Sequence, residues 1–352
     1  MPPGLPSALT LPVDWPQRFE TVEMHTGGEP VRIVTTGYPD IPGDTLLAKR
    51  RYVQTHLDAY RRFLMLEPRG HADMYGVIPV RPDLPGADLA VLFMHNEGYS
   101  TMCGHATLAV ARWAVDSGQV QKQDGVTRVG LQCPCGLVEV SVAVKNGRAG
   151  AAWFDSVPAF AAALDVVVTV PGYGPVTLDI GYGGAFYAIL PAQRLGLTMD
   201  AGVAALTDAA WAVAEAARAQ VPLSYPDTSH PDSGDLAFLY GTILTDGADL
   251  WSEQPTRNIC IFAERQVDRS PTGSGVTARL ALQHARGQIT AGQVRHFRSI
   301  TGSDFTGSVV ATSVLGGVPA VTARVGGQGH YAGRCEFVLE AGDALGAGFR
   351  VL

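Results

Sequence analysis

The sequence predicts an α/β (α+β) protein built from two similar halves. Three observations predict it. Short runs of β-forming residues alternate with a few longer stretches of helical spacing. Two loop-helix units, around residues 103 and 272, look alike. A length of 352 residues is room for about two domains at roughly 150 residues each. The composition agrees: 46% hydrophobic and 17% charged excludes a disordered chain. The 41 glycines, without a G-X-Y period, imply many tight turns.

Taken in order, the Pro-rich first 15 residues or so are expected to be poorly ordered. Phe19 to Met24 and Val31 to Thr35 read as strands around the turn His25-Thr26-Gly27-Gly28-Glu29-Pro30. Asp44 to Leu66 has helical spacing, with Asp44 as its expected N-cap. Ala87 to His95 reads as a buried strand. Cys103 to Asp116 reads as a helix ended by Gly118. Val126 to Ile189 is mostly β, and the Ala-rich stretch 198–220 is helical. Asp235 to Leu244 and Thr256 to Ala263 read as strands. Thr272 to Arg286 is a helix ended by Gly287, and the chain from Val309 onward is β again.

The two similar units are Met102-Cys103-Gly104-His105-Ala106-Thr107-Leu108-Ala109 and Pro271-Thr272-Gly273-Ser274-Gly275-Val276-Thr277-Ala278. Cys103 aligns with Thr272 and Gly104 with Gly273. The offset, 272 − 103 = 169, is close to half the chain and suggests a duplication.

Several function classes are excluded. The net charge is 26 − 33 = −7 and no Lys/Arg block is present, which argues against nucleic acid. The longest uncharged run, Phe305 to Ala323, reads as strand-turn-strand rather than a membrane span. The N-terminus lacks the basic region of a signal peptide. Five cysteines, at 103, 133, 135, 260 and 335, suit a reduced, cytoplasmic protein better than a disulfide framework.

Each loop-helix unit puts small residues at a helix start, where backbone N–H groups lack intrahelical partners and the dipole is positive. Two such starts facing one cleft would hold a small carboxylate from both sides. The plainer reading is a capped or hydrated helix start. A thiol at position 103 would have its thiolate stabilised there. Cys133 and Cys135 lack the spacing and neighbours of a metal site and read as structural. Cys260 and Cys335 read as core. Asp268 reads equally well as a loop-stabilising acceptor or as a partner for a substrate ammonium. No metal-ligand spacing and no GxGxxG order occurs, so neither metal nor nucleotide cofactor is expected.

Side by side, four segments resemble the proline racemase superfamily. They are Met24-His25-Thr26-Gly27-Gly28-Glu29-Pro30, Met102-Cys103-Gly104-His105, Gly183-Gly184-Ala185-Phe186-Tyr187 and Asp268-Arg269-Ser270-Pro271-Thr272-Gly273-Ser274-Gly275. The resemblance implies two pseudo-symmetric domains of the diaminopimelate-epimerase-like type. Each would wrap a mixed β-sheet around a central helix, with a cofactor-free site in the interdomain cleft. Racemases of this kind use two cysteines. Here Cys103 takes the first position and Thr272 the second, a departure that resembles the branch dehydrating trans-3-hydroxy-L-proline. Carried over residue by residue, the backbone at Gly104, His105, Gly273 and Ser274 would hold the carboxylate, and Asp268 would face the ring nitrogen. Ala106 stands where racemase members often have Gly.

The domains expected are 16–195, carrying the Cys103 unit, and 196–329, carrying the Asp268/Thr272 unit. The last strands, about 330–352, are allowed to pack back on the first. The partner expected is a small hydroxyproline substrate, with no nucleic acid and no membrane, and a homodimer is left open. The rival readings are a 4-hydroxyproline 2-epimerase or proline racemase that tolerates Thr272 through a water, a non-catalytic binder of small amino acids, and thiol redox chemistry.

Overall fold

A computed structural model describes residues 17–229 and 232–351. The expectation for the Pro-rich N-terminal stretch lies outside these residues. The helices are α1 (Leu46–His56), α2 (Asp58–Met65), α3 (Gly104–Asp116), α4 (Val203–Gln220) and α5 (Gly273–Ala285). Among the described residues the strands join into one 18-stranded mixed sheet folded into two bodies.

The two bodies repeat one topology. In the first, the hairpin Gln17–Thr26/Glu29–Thr36 is followed by Tyr75–Val80, parallel to the second hairpin strand. Leu89–His95 then runs antiparallel and carries the short strand Tyr99–Ser100 on the way to α3. Gly125–Cys133 lies parallel to Leu89–His95, and Gly136–Lys145 and Arg148–Asp155 follow as a meander. In the second, the hairpin Gly174–Tyr182/Phe186–Pro191 is followed by Leu239–Thr245, again parallel. Thr256–Phe262 runs antiparallel and carries Gln266–Asp268 on the way to α5. Arg295–Arg298 is parallel to Thr256–Phe262, and Asp304–Leu315 and Val318–Gly327 close the meander. Both central helices have 13 residues, and their starts differ by 273 − 104 = 169.

A further strand joins each sheet beside its opening hairpin. Phe160–Val170 pairs with Gly174–Tyr182, and Gly329–Leu339 returns to pair with Gln17–Thr26. The final strand therefore packs back on the first half. The strands from 160 to 191 lie in the sheet of the second half, not the first as a boundary at 195 requires. Local propensity carries no information on which sheet a strand joins. We propose a division near residue 158 instead.

α3 and α5 are hydrophobic nearly all round, and each is buried along most of its length. They form the centre of one core that spans both halves. The stretch Asp44 to Leu66 is two helices rather than one, broken at Leu57, whose φ is −123°. Its N-cap is Thr45, not Asp44: the Thr45 hydroxyl accepts the Ala48 N–H at 3.1 Å. Cys260 is fully buried, whereas Cys335 is only half-buried in its strand. Among the described residues no helix is long and apolar enough to cross a membrane.

Candidate active site

The four sequence motifs converge on one place, the meeting of α3 and α5. A Cβ added to Gly104 would lie 2.4 Å from the Gly273 Cα, and one on Gly273 would lie 2.6 Å from the Gly104 Cα. Only glycine lets the two helix starts approach this closely. The hairpin turn of the second half packs beneath them. Gly184 has φ +97°, its carbonyl accepts the Thr101 hydroxyl at 2.9 Å, and a Cβ there would strike Met102. The Gly27–Gly28 turn of the first half joins from the other side, through the Thr26 hydroxyl on the His105 carbonyl at 2.9 Å.

Cys103 is the N-cap of α3. Its sulfur accepts the Ala106 N–H at 3.4 Å and stands 3.1 Å from His105 Nδ1. The Tyr75 hydroxyl, itself bonded to Ser100, is a further donor to the sulfur. The helix start alone predicts a thiol that ionises easily. The opposite holds: burial pushes the Cys103 thiol well up, and the Ala106 and Tyr75 donors only partly offset it. Nearby carboxylates at Asp268 and Glu29 push in the same direction as burial. Burial also brings the His105 imidazole down to about 3, so the pair is neutral thiol and neutral imidazole.

Thr272 occupies the matching position before α5, in a backbone conformation that β-branched residues rarely adopt, φ +67° and ψ 91°. Strain of this kind gathers at functional sites. Two bonds hold it: Thr272 N–H donates to Ser270 Oγ at 3.1 Å, and its hydroxyl donates to Asp268 Oδ2 at 2.8 Å. Asp268 Oδ1 accepts the Ser270 N–H at 2.8 Å. Asp268 is thus a loop-stabilising acceptor, and it also lines the cavity between the helix starts. Burial pushes its carboxyl up to about 6. Ser274 bonds the Tyr187 hydroxyl at 2.7 Å.

Cys103, Gly104, His105, Asp268, Thr272, Gly273 and Ser274 all line this one cavity, with Tyr75, Tyr187, Tyr240 and Phe262 as its aromatic wall. All seven sequence candidates therefore meet. The first N–H groups of α3 and α5, at Gly104, His105, Gly273 and Ser274, find no acceptor among the described residues. The cavity measures only about 10 Å³, room for about one water. Chemically it offers a buried thiol, a hydroxyl tied to a carboxylate, and the N–H donors of two helix starts.

Sequence reasoning missed the ring of His105, the aromatic wall and Glu29. Glu29 is completely buried, and its Oε2 accepts the Arg269 N–H at 2.8 Å. It lay inside a quoted motif, but an acid after two glycines looks like an exposed turn residue. Tyr75 and Tyr240 stand at the starts of equivalent strands in the two halves. The repeat was the signal that could have found them.

A sequence profile of the family described as proline racemase matches residues 21–350. The chain belongs to the proline racemase family. Within it, this family member is 55% identical over 337 residues to trans-3-hydroxy-L-proline dehydratase of Homo sapiens, covering 94% of each chain. It is 55% identical to trans-L-3-hydroxyproline dehydratase of Xenopus tropicalis, covering 96% of each. Among solved structures, a hydroxyproline epimerase from Agrobacterium vitis with bound trans-4-OH-L-proline superposes with a TM-score of 0.89. It shares 28% identity and covers 97% of this chain and 96% of the other. The two-body α+β fold is that of this epimerase structure.

Proposed function

We propose that this proline racemase family member dehydrates trans-3-hydroxy-L-proline to Δ1-pyrroline-2-carboxylate and water. It is a lyase, as its relatives at 55% identity are named. The observation that carries the mechanism is the unlike pair at the two helix starts. Cys103 lies on one side, and on the other is a threonine whose hydroxyl is bonded to Asp268. Inversion at Cα needs an acid on one face and a base on the other, and a threonine hydroxyl is neither near neutral pH. Elimination needs one group only. In the trans-3-hydroxy isomer the hydroxyl lies opposite the carboxylate, on the same ring face as the Cα hydrogen. The Cys103 thiolate takes the Cα proton, and the thiol so formed returns it to the departing hydroxyl. The C–O bond breaks, water leaves, and the remaining enamine tautomerises to the imine.

In this reading the N–H groups of Gly104, His105, Gly273 and Ser274 hold the carboxylate, where charge builds as the proton leaves. Asp268 faces the ring ammonium. The buried thiol is ionised only at a cost, and the ammonium and the carboxylate's donors help offset it once substrate is bound. Five free thiols, four of them buried, fit the reducing environment of the cytoplasm.

The test is incubation with trans-3-hydroxy-L-proline, trans-4-hydroxy-L-proline and L-proline, scoring pyrroline product and Cα epimers together. Pyrroline from the first substrate and no more than trace inversion of the others is expected. Robust inversion would overturn the reading. Cys103→Ser, a nearly isosteric change, is expected to keep the fold and lose at least about a hundredfold in kcat, because the serine hydroxyl stays protonated.

A further inference from the structure

We propose that the hollow of about 870 Å³ beside the catalytic cavity is the approach for the substrate, and that Arg50 captures the substrate's carboxylate there. The inference rests on the amino-acid substrate read above. A cavity of about 10 Å³ cannot admit a proline ring, so a wall must give way. Tyr240 lines both spaces and is part of the wall they share. The hollow lies between the halves, with Arg50 of α1 and the turn 95–99 on one side and Arg218 of α4 on the other.

The charges in the hollow are spent, with one exception. Arg218 pairs with Glu215 at 2.8 Å, and Glu97 pairs with Arg350. Glu264, mostly exposed, stands 4.0 Å from the same Arg350. Arg50 donates from Nη2 to the Tyr99 carbonyl at 2.6 Å and lies over the Phe238 ring at 5.7 Å. Its Nε is buried without an acceptor, and the carboxylate whose charge reaches it, Asp235, is bonded to Arg51 instead. A largely buried guanidinium without a carboxylate bonded to it is costly. Its planar fork suits a carboxylate, so an incoming one would relieve that cost. The charge of Arg50 lowers His95, and Tyr75 in turn acts on Arg50, which places it at the boundary with the catalytic cavity. The carboxylate would pass from one cation to the richer donor set at the two helix starts.

The test is the rate at which iodoacetate and iodoacetamide alkylate Cys103. The reagents share a leaving group and differ in charge, so their rate ratio cancels any change in the thiol itself. Arg50→Gln is expected to lower the ratio of iodoacetate to iodoacetamide by about tenfold. It should also raise KM for trans-3-hydroxy-L-proline severalfold, with kcat changed less than twofold. Arg50→Lys should restore part of both. Ala237→Asp sets a carboxylate in the hollow while leaving Arg50 in place, and it carries the test if Arg50→Gln does not fold. An unchanged ratio in the folded variants overturns the proposal. A lowered ratio in a protein whose wild type turns over no proline derivative upholds anion capture and sinks the dehydratase reading instead, so the two failures are separable.

Discussion

At the scale of single residues, the proposed choice of reaction turns on Thr272. Its position matches Cys103 in the repeat, and its hydroxyl is already committed to Asp268. Thr272→Cys is expected to gain measurable Cα inversion of trans-4-hydroxy-L-proline or L-proline at some cost to dehydration. The gain will be modest, since a group about 1 Å out of place loses about a hundredfold. Chiral chromatography of both proteins checks it, and no inversion at all would remove Thr272 from the choice of reaction. Asp268 makes a separate prediction. Its carboxyl is raised by burial from 3.8 to about 6, so its contribution to stability is fully present below about 3.8 and is lost as pH rises through about 6. Asp268→Asn removes that loss. The melting temperature of Asp268→Asn relative to wild type should rise between pH 4 and pH 7, while binding of the substrate weakens. A gap that stays constant would show that the carboxyl is not raised. Cys103 stood out in the sequence through its helix start, and Thr272 and Asp268 through the repeat and the family resemblance. The thiol's ionisation was not legible. It depends on water excluded by Tyr75, Tyr240 and Phe262, which stand far away in the chain.

At the scale of elements, both central helices and most strands were readable from periodicity and from Gly punctuation. What the sequence left unread was tertiary: the break at Leu57 and the sheet that Phe160–Val170 joins. The break falls between two short helices whose apolar spacing runs on without interruption, so periodicity sees one helix. The approach of α3 to α5 was also invisible, although its cause, a glycine at each start, was in plain view. Gly104→Ala tests that approach. The added methyl meets the backbone of Gly273 rather than a movable side chain, so α5 must shift. Such overpacking is expected to cost about 1–3 kcal/mol of stability. The displaced donors should cost about a hundredfold in kcat. Urea denaturation and steady-state kinetics read the two effects. Wild-type kinetics in Gly104→Ala would mean that the helix starts need not meet.

At the scale of the whole molecule, the halves are riveted next to the site by Glu29 and Arg269, 240 positions apart. Glu29 Oε2 accepts both the Arg269 N–H at 2.8 Å and Nη1 at 3.1 Å, and Nη1 also donates to the Asp73 carbonyl at 3.0 Å. Hydroxyls of Thr301 and Ser303 reach the Gly27 carbonyl from the second half, at 3.1 and 3.0 Å. Burial pushes the Glu29 carboxyl well up, and Arg269 pulls against it. Substrate must pass into a cavity of only about 10 Å³, and this rivet is expected to limit how often the halves part. Removing one partner would leave a buried charge or its protonated substitute unpaired. The double substitution Glu29→Gln/Arg269→Met removes both charges and keeps side chains of similar length. It is expected to fold, to expose Cys103 more often, and so to be alkylated by iodoacetamide about tenfold faster in the ligand-free protein. Dehydration should fall about a hundredfold, because the Asp268–Thr272 loop follows Arg269 and catalysis tolerates little displacement. Bound pyrrole-2-carboxylate, a planar anion, should slow the alkylation again by drawing the halves together. If alkylation proceeds at the wild-type rate while dehydration still falls, the pair acts only on the loop beside it and the halves are held closed by other contacts.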